Sequence, residues 1–223
     1  RAYYNNGNLS QARSRAQEVL NMDADYVRFA EYDNQNGPVN VMQNALYDRS
    51  TLDDFQPLPR LDFLDPKYGV SGAEEDPIPL LKAEEAHLIL IEADLAEGDT
   101  ACAKSQMKDL LDLVQNEREP RFVDERGEGR RHEGPSGTPR PNQAGIEVRA
   151  SPNDPYRSGL VLNRARRTEV PGVSGTSVTD ALVDGTSGTQ DIWELYYLMR
   201  QEIFMAEGRR FVTFNLKLPL PEN

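Results

Sequence analysis

A helix–turn–helix pattern occurs twice in the chain, and it constrains the fold more than any other feature. The stretch from Ala2 to Leu20 aligns without gaps with the stretch from Ala93 to Leu111. In each copy a helix is predicted to end at a glycine, Gly7 or Gly98, because glycine readily adopts the left-handed conformation that ends helices. An Asn or Asp follows as the cap of a second helix, and an alanine four residues later allows two helices to approach closely. Such pairs are typical of tetratricopeptide-like helical hairpins, so the sequence predicts a mostly α fold.

The spacing of the two copies indicates that other structure is inserted between them. Gly7 and Gly98 are 91 residues apart, whereas tandem tetratricopeptide units repeat every ~34 residues. We expect one domain, residues 1–223, in which a helical scaffold carries long loop-rich, partly extended insertions. The scaffold is predicted at about 1–23, 76–116 and 189–210, and the insertions at about 24–75 and 117–188.

The composition of each segment supports this division. A helix from about Leu80 to Glu97 is apolar enough to pack against both its hairpin mate and neighbouring hairpins. A final helix is predicted from a cap at Asp191 to a stop at Gly208. The insertions are rich in Asn, Asp, Pro and Gly, which favour loops. The second one contains a single candidate strand within 157–170, and its later part, 170–189, is predicted to be turns.

The charge of the chain excludes some partners. There are 37 acidic and 25 basic residues, a net charge of −12, and only five of the basic residues are lysine. A surface that follows nucleic acid phosphates is therefore not expected. Excess carboxylates with arginine preferred over lysine fit a protein from a salty environment, or the codon usage of a G+C-rich genome. No run of about 18 apolar residues is present, and the start at Arg1 indicates a fragment.

Residues suited to catalysis or metal binding are sparse, so no enzyme, cofactor or metal is expected. No phosphate-binding loop, nucleophile elbow or zinc motif is present. His87 and His132 lie far apart, and Cys102 is interpreted as a buried hydrophobic residue. Five carboxylates on one predicted helix are interpreted as a solvated face, although a pair of them would suit acid–base chemistry; they are Glu84, Glu85, Glu92, Asp94 and Glu97.

Aromatic residues in loop-like sequence are the best candidates for ligand contacts. Such rings provide flat apolar platforms with polar rims, suited to sugars or peptides. The candidate ligand-binding residues are Tyr47, Tyr68, Tyr156 and Arg157. The alternative is that these rings hold the loops against the helices. Trp193 and the Tyr196–Tyr197 pair lie on a predicted helix and are assigned mostly to the core.

Two stretches resemble signatures of a known family. The segment "PIPLLKAEEAHLILIEADLAEGDTACAKSQMKDLLDLV" resembles the central signature of the SusD/RagB-like nutrient-binding proteins of the Bacteroidetes surface. The segment "LMRQEIFMAEGRRFVTFNL" resembles their later signature, represented here by Arg200, Glu202, Glu207, Gly208 and Arg210 with Phe211. "ARSRAQEVL", near the start, resembles an earlier helix of that fold, and the order along the chain agrees.

The resemblance implies a non-catalytic function. Proteins of this family are lipid-anchored on the outer face of the outer membrane, through an N-terminal segment that this chain would lack. They capture oligosaccharides or oligopeptides and deliver them to a TonB-dependent transporter of the SusC/RagA type. The resemblance also implies that the arginine and glutamates of the late signature are structural, in a charge network at a helix end. The alternatives are a tetratricopeptide-type adaptor that binds other proteins and, third, an acid–base glycosidase.

Overall fold

A computed structural model describes part of the chain with its side chains and several short strands by their backbone. Residues 1–41, 75–120, 172–204 and 207 are described with their side chains. The backbone is described for short strands at 121–123, 143–144, 147–148, 157–158, 162–163 and 168–170. These residues are mostly helical, as the sequence predicts, with small two-stranded sheets beside the helices.

Six α-helices make up the helical part of the described chain. They are α1 (Ala2–Asn5), α2 (Leu9–Met22), α3 (Ala83–Glu97), α4 (Thr100–Asp112), α5 (Asp180–Gly185) and α6 (Thr189–Ile203). A π-helical turn, Leu113–Glu117, continues α4. Helix α5 was not predicted, since its six residues lie in sequence assigned to turns; Thr179 caps it by accepting a hydrogen bond from Leu182 N.

The two predicted turns are confirmed and have the same geometry. Gly7 and Gly98 have φ values of +76° and +79°. In the first turn Gly7 N donates to Tyr4 O (2.9 Å) and Asn8 N to Tyr3 O (2.9 Å). The second repeats both bonds at the aligned positions, Gly98 N to Leu95 O (3.1 Å) and Asp99 N to Asp94 O (2.9 Å). This paired pattern satisfies the last carbonyls of the preceding helix.

The caps and small residues of the repeat are also as predicted. The side chain of Asn8 accepts a hydrogen bond from Gln11 N, and that of Asp99 accepts one from Cys102 N. Ala12 and Ala103, the aligned alanines, are both buried. Cys102, however, is exposed, and its assignment to the core was wrong. It lies one residue, about 100° of helix rotation, before Ala103, and therefore falls outside the buried face of α4.

Helix α3 is the centre of the fold. It contacts α2, α4 and α6, and eleven of its fifteen residues are buried. One apolar cluster joins α3 to α2 through Ala12, Ala16, Ala86, Ile89 and Leu90. A larger cluster joins α3 to α4, α5 and α6, with Leu88, Met107, Val183, Tyr196 and Met199 among its members. A helix that is apolar on nearly all sides is a buried helix, as its sequence indicated.

The chain enters α3 as a strand rather than as helix. Strand β2 (Ile78–Lys82) pairs antiparallel with β1 (Val27–Ala30). The predicted start of the helix at Leu80 was therefore three residues early. The region contains Pro77 and Pro79, and the residue before a proline favours an extended backbone. Strand pairing keeps the extended form up to Lys82.

The remaining strands form three nested antiparallel pairs, where the sequence predicted one strand. The outer pair is β3 (Arg121–Val123) with β8 (Thr168–Val170), and the middle pair is β4 (Gln143–Ala144) with β7 (Leu162–Asn163). The inner pair is β5 (Glu147–Val148) with β6 (Arg157–Ser158). We call residues 121–170 the arm. This segment begins with β3 and ends with β8, and these two strands pair with each other.

The N-terminus of α6 also differs from prediction. The helix begins at Thr189, and Gly188 occupies the cap position. Asp191, the predicted cap, lies in the first turn, and its carboxylate accepts bonds from Ser187 N (3.1 Å) and Gly188 N (3.2 Å). These bonds lower the pKa of Asp191. Helix α6 ends at Ile203, before the predicted stop at Gly208, so that predicted end was too late. Gly208 itself lies outside the described residues.

Candidate functional site

The interpretation of the five carboxylates of α3 as a solvated face was wrong for three of them, whereas Glu97 is exposed and Glu85 is partly exposed. Glu84 and Glu92 are fully buried, and Asp94 is 2% exposed. Burying an isolated carboxylate costs several kcal/mol, so each must have cationic partners. The structure supplies such partners from different elements of the fold, and two buried clusters result.

The first group, which we call the lysine cluster, consists of Lys82, Glu84, Arg118, Ser174 and Glu207. The Lys82 ammonium is completely buried. It donates to Ser174 Oγ (2.8 Å), to the carbonyl of Ile203 (2.7 Å) and to Glu207 Oε1 (2.5 Å). These three bonds use its three protons. The bond to Ile203 O also places a positive charge at the C-terminal end of α6, where the helix dipole favours one.

Glu84 is the acidic centre of the lysine cluster. Its Oε1 accepts hydrogen bonds from Arg118 Nε (3.0 Å) and Ser174 Oγ (2.7 Å), and its Oε2 accepts one from Arg118 Nη2 (2.8 Å). Burial acts to raise the pKa of Glu84, but Lys82, Arg118 and Ser174 outweigh it and hold the pKa below the ordinary value. Glu84 is therefore ionised at neutral pH. It lies in the first turn of α3, where a negative charge is favoured.

The second group, which we call the arginine cluster, consists of Arg1, Glu92, Tyr196 and Arg200. The Glu92 carboxylate accepts short hydrogen bonds from the Arg1 guanidinium and the Tyr196 hydroxyl. Arg200 Nη1 lies 3.6 Å from Glu92 Oε1. Burial and then the Glu92 charge raise the pKa of Tyr196 well above its ordinary value, so the phenol remains a neutral donor. Three separate elements, the chain start, α3 and α6, meet at this carboxylate.

An aromatic ring joins the two clusters. Phe204, directly after α6, is 8% exposed. The Lys82 Nζ atom lies 4.9 Å from the centre of its ring, and the Arg200 Cζ atom lies 5.1 Å from it. Both distances are within the range of cation–π attraction. The ring therefore contacts one cation from each cluster.

The late signature residues lie in these contacts where the structure describes them. Arg200 and Glu207 belong to the two clusters. Glu202 accepts bonds from Ser177 N (2.7 Å), Ser177 Oγ (2.6 Å) and Thr176 Oγ1 (2.7 Å), which ties the segment before α5 to α6. The prediction that these residues form a charge network at a helix end is confirmed for Arg200 and Glu207. Glu202 lies at the same helix end, but its hydrogen-bond donors are uncharged. Gly208, Arg210 and Phe211 lie outside the described residues.

The short Ser174–Lys82 distance does not create a nucleophile and its base. A serine activated by lysine needs a neutral amine that accepts the hydroxyl proton. Here Lys82 is paired with Glu207, and the Ser174 proton is donated to Glu84. Both side chains are completely buried. These contacts fix the two residues as part of the core.

His87 is the other titratable side chain of note on α3. It is partly buried, and burial lowers its pKa, so the imidazole is neutral at pH 7. Its Nδ1 atom has no hydrogen-bond partner among the described residues. Within that part of the chain, no three His, Cys, Asp or Glu side chains are grouped so as to hold a metal ion.

The predicted ligand-binding residues fall mostly outside the described part of the chain. Tyr47, Tyr68 and Tyr156 are not described, and Arg157 is described only by its backbone in β6. That backbone pairs with Val148 in the inner strand pair of the arm, and the pair encloses residues 149–156. Of the helical aromatics, Tyr196 is fully buried, and Trp193 is half-buried and packs against the same core cluster, so the core assignment holds for these two. Tyr197 is 37% exposed, and its assignment to the core was wrong.

Three of the buried groups that matter most were not identified from the sequence. They are Lys82, Arg118 and Ser174, whose partners lie up to 125 residues away. The available signal was indirect. Because α3 has apolar residues on all sides, Glu92 and Asp94 have no exposed position on it. Cations from elsewhere in the chain must therefore pair with these two carboxylates.

Comparisons with known proteins return no relative. No family model matches the chain, nor does any curated protein, nor any solved structure. Of the helices that the structure describes, none combines the length and apolar character needed to cross a membrane.

Proposed function

We propose that this chain is part of a SusD/RagB-like surface lipoprotein that captures an oligosaccharide or oligopeptide and delivers it to a TonB-dependent outer-membrane transporter. The observation that carries the proposal is the contact between the two signature stretches. Lys82, near the start of the first, binds Glu207 of the second at 2.5 Å. Glu92 of the first is likewise paired with Arg200 of the second at 3.6 Å.

The pairing is informative because the two stretches were singled out separately. Lys82 and Glu207 are 125 residues apart, and both side chains are completely buried. Buried ion pairs need accurate geometry to offset the cost of desolvation. Two signatures of one fold are expected to lie in contact, and these two stretches do so through buried ion pairs.

The same proposal includes a tetratricopeptide-like arrangement of the hairpins. Two identical glycine turns, equivalent caps and close packing of α2 and α4 on α3 support it. In this proposal the helices are a scaffold and the insertions carry the ligand. The lysine and arginine clusters are structural, and the protein is not an enzyme.

The ligand contacts are proposed on Tyr47, Tyr68, Tyr156 and Arg157. Micromolar affinity, about −8 kcal/mol, suffices for capture and quick release, and stacked aromatic rings with a few hydrogen bonds supply energies of that order. Of these residues, Arg157 is described by its backbone, which pairs with Val148 in the inner strand pair.

The test is titration calorimetry of the protein against panels of oligosaccharides and oligopeptides. Saturable binding of one class is expected, with at least a tenfold loss on Tyr47→Ala, Tyr68→Ala or Tyr156→Ala. Tyr3→Ala is the matched control, since Tyr3 lies on α1 and is 44% exposed. Unchanged affinity in all three variants would overturn the site.

Two further results would overturn the function itself. The first is hydrolysis of a panel member, which would indicate a glycosidase or peptidase. The second is failure of the full-length protein to co-purify with a TonB-dependent transporter from native membranes. Binding of folded proteins without any glycan or peptide ligand would favour the adaptor alternative.

A further inference from the structure

The two ends of the arm meet at one buried carboxylate. Arg118 precedes β3 by three residues, and Ser174 follows β8 by four. Both side chains donate to Glu84, Arg118 through two nitrogens (3.0 and 2.8 Å) and Ser174 through its hydroxyl (2.7 Å). Glu84 therefore binds the chain at Arg118, just before the arm begins, and at Ser174, just after the arm ends.

The backbone at the base of the arm is closed as well. Strands β3 and β8 pair in the register Arg121 with Val170 and Val123 with Thr168. Gly172, after β8, packs closely against Glu119, before β3. A Cβ atom at position 172 would collide with the carbonyl oxygen of Glu119. A pair of three-residue strands is short for independent stability, so the side-chain contacts to Glu84 add substantially to the closure.

Glu84 itself is held firmly on the core. It lies in the first turn of α3, the most buried helix of the described chain, and is 0% exposed. Ser174, its partner at the return end, also accepts a bond from Lys82, which in turn binds the end of α6. Arg118 has further bonds to the carbonyl oxygens of Asp25 (2.5 Å) and Tyr26 (3.4 Å), at the start of β1.

We propose that Glu84 is a positioning residue that fixes both ends of the arm to the helical scaffold, and that ligand capture depends on this fixing. The capture part of this statement rests on the proposed function; the fixing part does not. A single carboxylate that receives both ends holds them in register, because movement of either end breaks bonds to the same group. Arg118 and Ser174 contribute through Glu84 and are not themselves proposed to touch the ligand.

The experiment is hydrogen exchange of the whole chain, followed by mass spectrometry, in the parent protein and in Glu84→Gln. Amide exchange in peptides covering 119–123 and 168–174 is expected to become at least tenfold faster. Peptides from within 88–111, in α3 and α4, are expected to keep their parent rates. The matched control is Glu85→Gln, which changes the next residue of α3, whose Oε1 accepts from Arg1 Nε at 3.2 Å instead. That variant is expected to leave both ends of the arm unchanged.

Two results would overturn the fixing of the arm. One is parent-like exchange at both ends of the arm in Glu84→Gln, and the other is equal acceleration in the arm ends and the helices. If Glu84→Gln does not fold, the same exchange measurement on Ser174→Ala tests the fixing of the arm. This variant removes the return-end bond while Arg118 stays paired, so faster exchange is expected first at 168–174, and an unchanged rate there would refute the proposal.

Ligand affinity separates this proposal from the proposed function. Where the parent protein binds a panel ligand, Glu84→Gln is expected to weaken binding at least tenfold, with Glu85→Gln at parent affinity. Equal affinity in Glu84→Gln, despite faster exchange at the arm ends, would overturn the role in capture and leave the fixing of the arm. Absence of ligand binding by the parent protein would count against the proposed function, whereas the exchange result would stand by itself.

Discussion

Replacement of Lys82 by methionine is the strongest single test of the buried clusters. The change keeps most of the side-chain volume but removes three hydrogen bonds and the charge that balances Glu207. Removing one partner of a buried ion pair costs about 3–5 kcal/mol. Loss of the cation at the end of α6 adds about 0.3–1 kcal/mol. In a chain of this length a loss of about 4 kcal/mol lowers the thermal midpoint by about 10 °C.

The measurement is equilibrium unfolding in urea, with the free energy of unfolding extrapolated to water. Lys108→Met is the matched control. Its Nζ bridges Asp184 at 2.7 Å, but both side chains are largely exposed, at 38% and 64%. Exposed ion pairs contribute little, so the midpoint of this variant is expected to stay close to that of the parent.

A double variant, Lys82→Met with Glu207→Met, tests the pairing itself. The double variant removes the buried carboxylate at position 207 together with its Lys82 partner, and apolar replacement of a whole buried pair is often tolerated. Ser174 and the carbonyl of Ile203 still lose a donor, so we expect the double variant to regain about half of the loss, roughly 2 kcal/mol. A loss equal to the sum of the two single variants would refute the reasoning, since independent sites add.

Three further predictions concern the turn, the pH dependence and the effect of salt. Gly98→Ala is expected to cost about 1–2 kcal/mol, because the φ of +79° is unfavourable for any residue with a Cβ. Gly185→Ala, at a helical position without positive φ and with open space around it, is the control and is not expected to destabilise the protein in urea unfolding. Because the pKa of Glu84 is lowered from the ordinary value of 4.5, its ionised form stabilises the fold above that pH, and this stabilisation is lost as the pH falls through the folded pKa. The difference in unfolding free energy between the parent and Glu84→Gln is therefore expected to be largest at neutral pH and to shrink below pH 4.5; a constant difference from pH 7 to pH 3 would contradict this. If the net charge of −12 is an adaptation to salt, the thermal midpoint should rise steeply up to molar KCl, and a flat or falling midpoint would favour the codon-usage explanation.

The helical hairpins were predictable because their signals are local. A left-handed glycine, an Asn or Asp cap and an alanine at close contact all act within a few residues, and all three recur at Gly7 and Gly98. The start of α3 was misplaced for the opposite reason. Of its first predicted residues, Leu81 pairs with Arg28 of β1, and Leu80 lies in the same strand at an irregularity of that pairing.

The candidate site was only partly predictable, because its contacts are long-range. A glutamate on a helix is usually solvated, and nothing near Glu84 in the sequence reveals Arg118 or Ser174 as its partners. The family resemblance did select Arg200 and Glu207 correctly as part of a charge network at a helix end, whereas the donors to Glu202 are uncharged. It gave no ligand residues, and the chosen tyrosines stay a prediction.

The carboxylates of α3 explain how one apolar helix organises several neighbours. Apolar contact is not directional. Apolar packing alone would therefore allow α2, α4 and α6 to dock on α3 in more than one rotation or register. Each buried carboxylate instead receives a cation from a particular element: Glu84 from Arg118, Glu92 from Arg1 and Arg200, and Asp94 from Arg13 of α2. A neighbour docked in another register would leave one carboxylate buried without its cation, at a cost of several kcal/mol. The charges on α3 therefore select one arrangement of the helices, and through Glu84 they extend that selection to the point where the arm begins and ends.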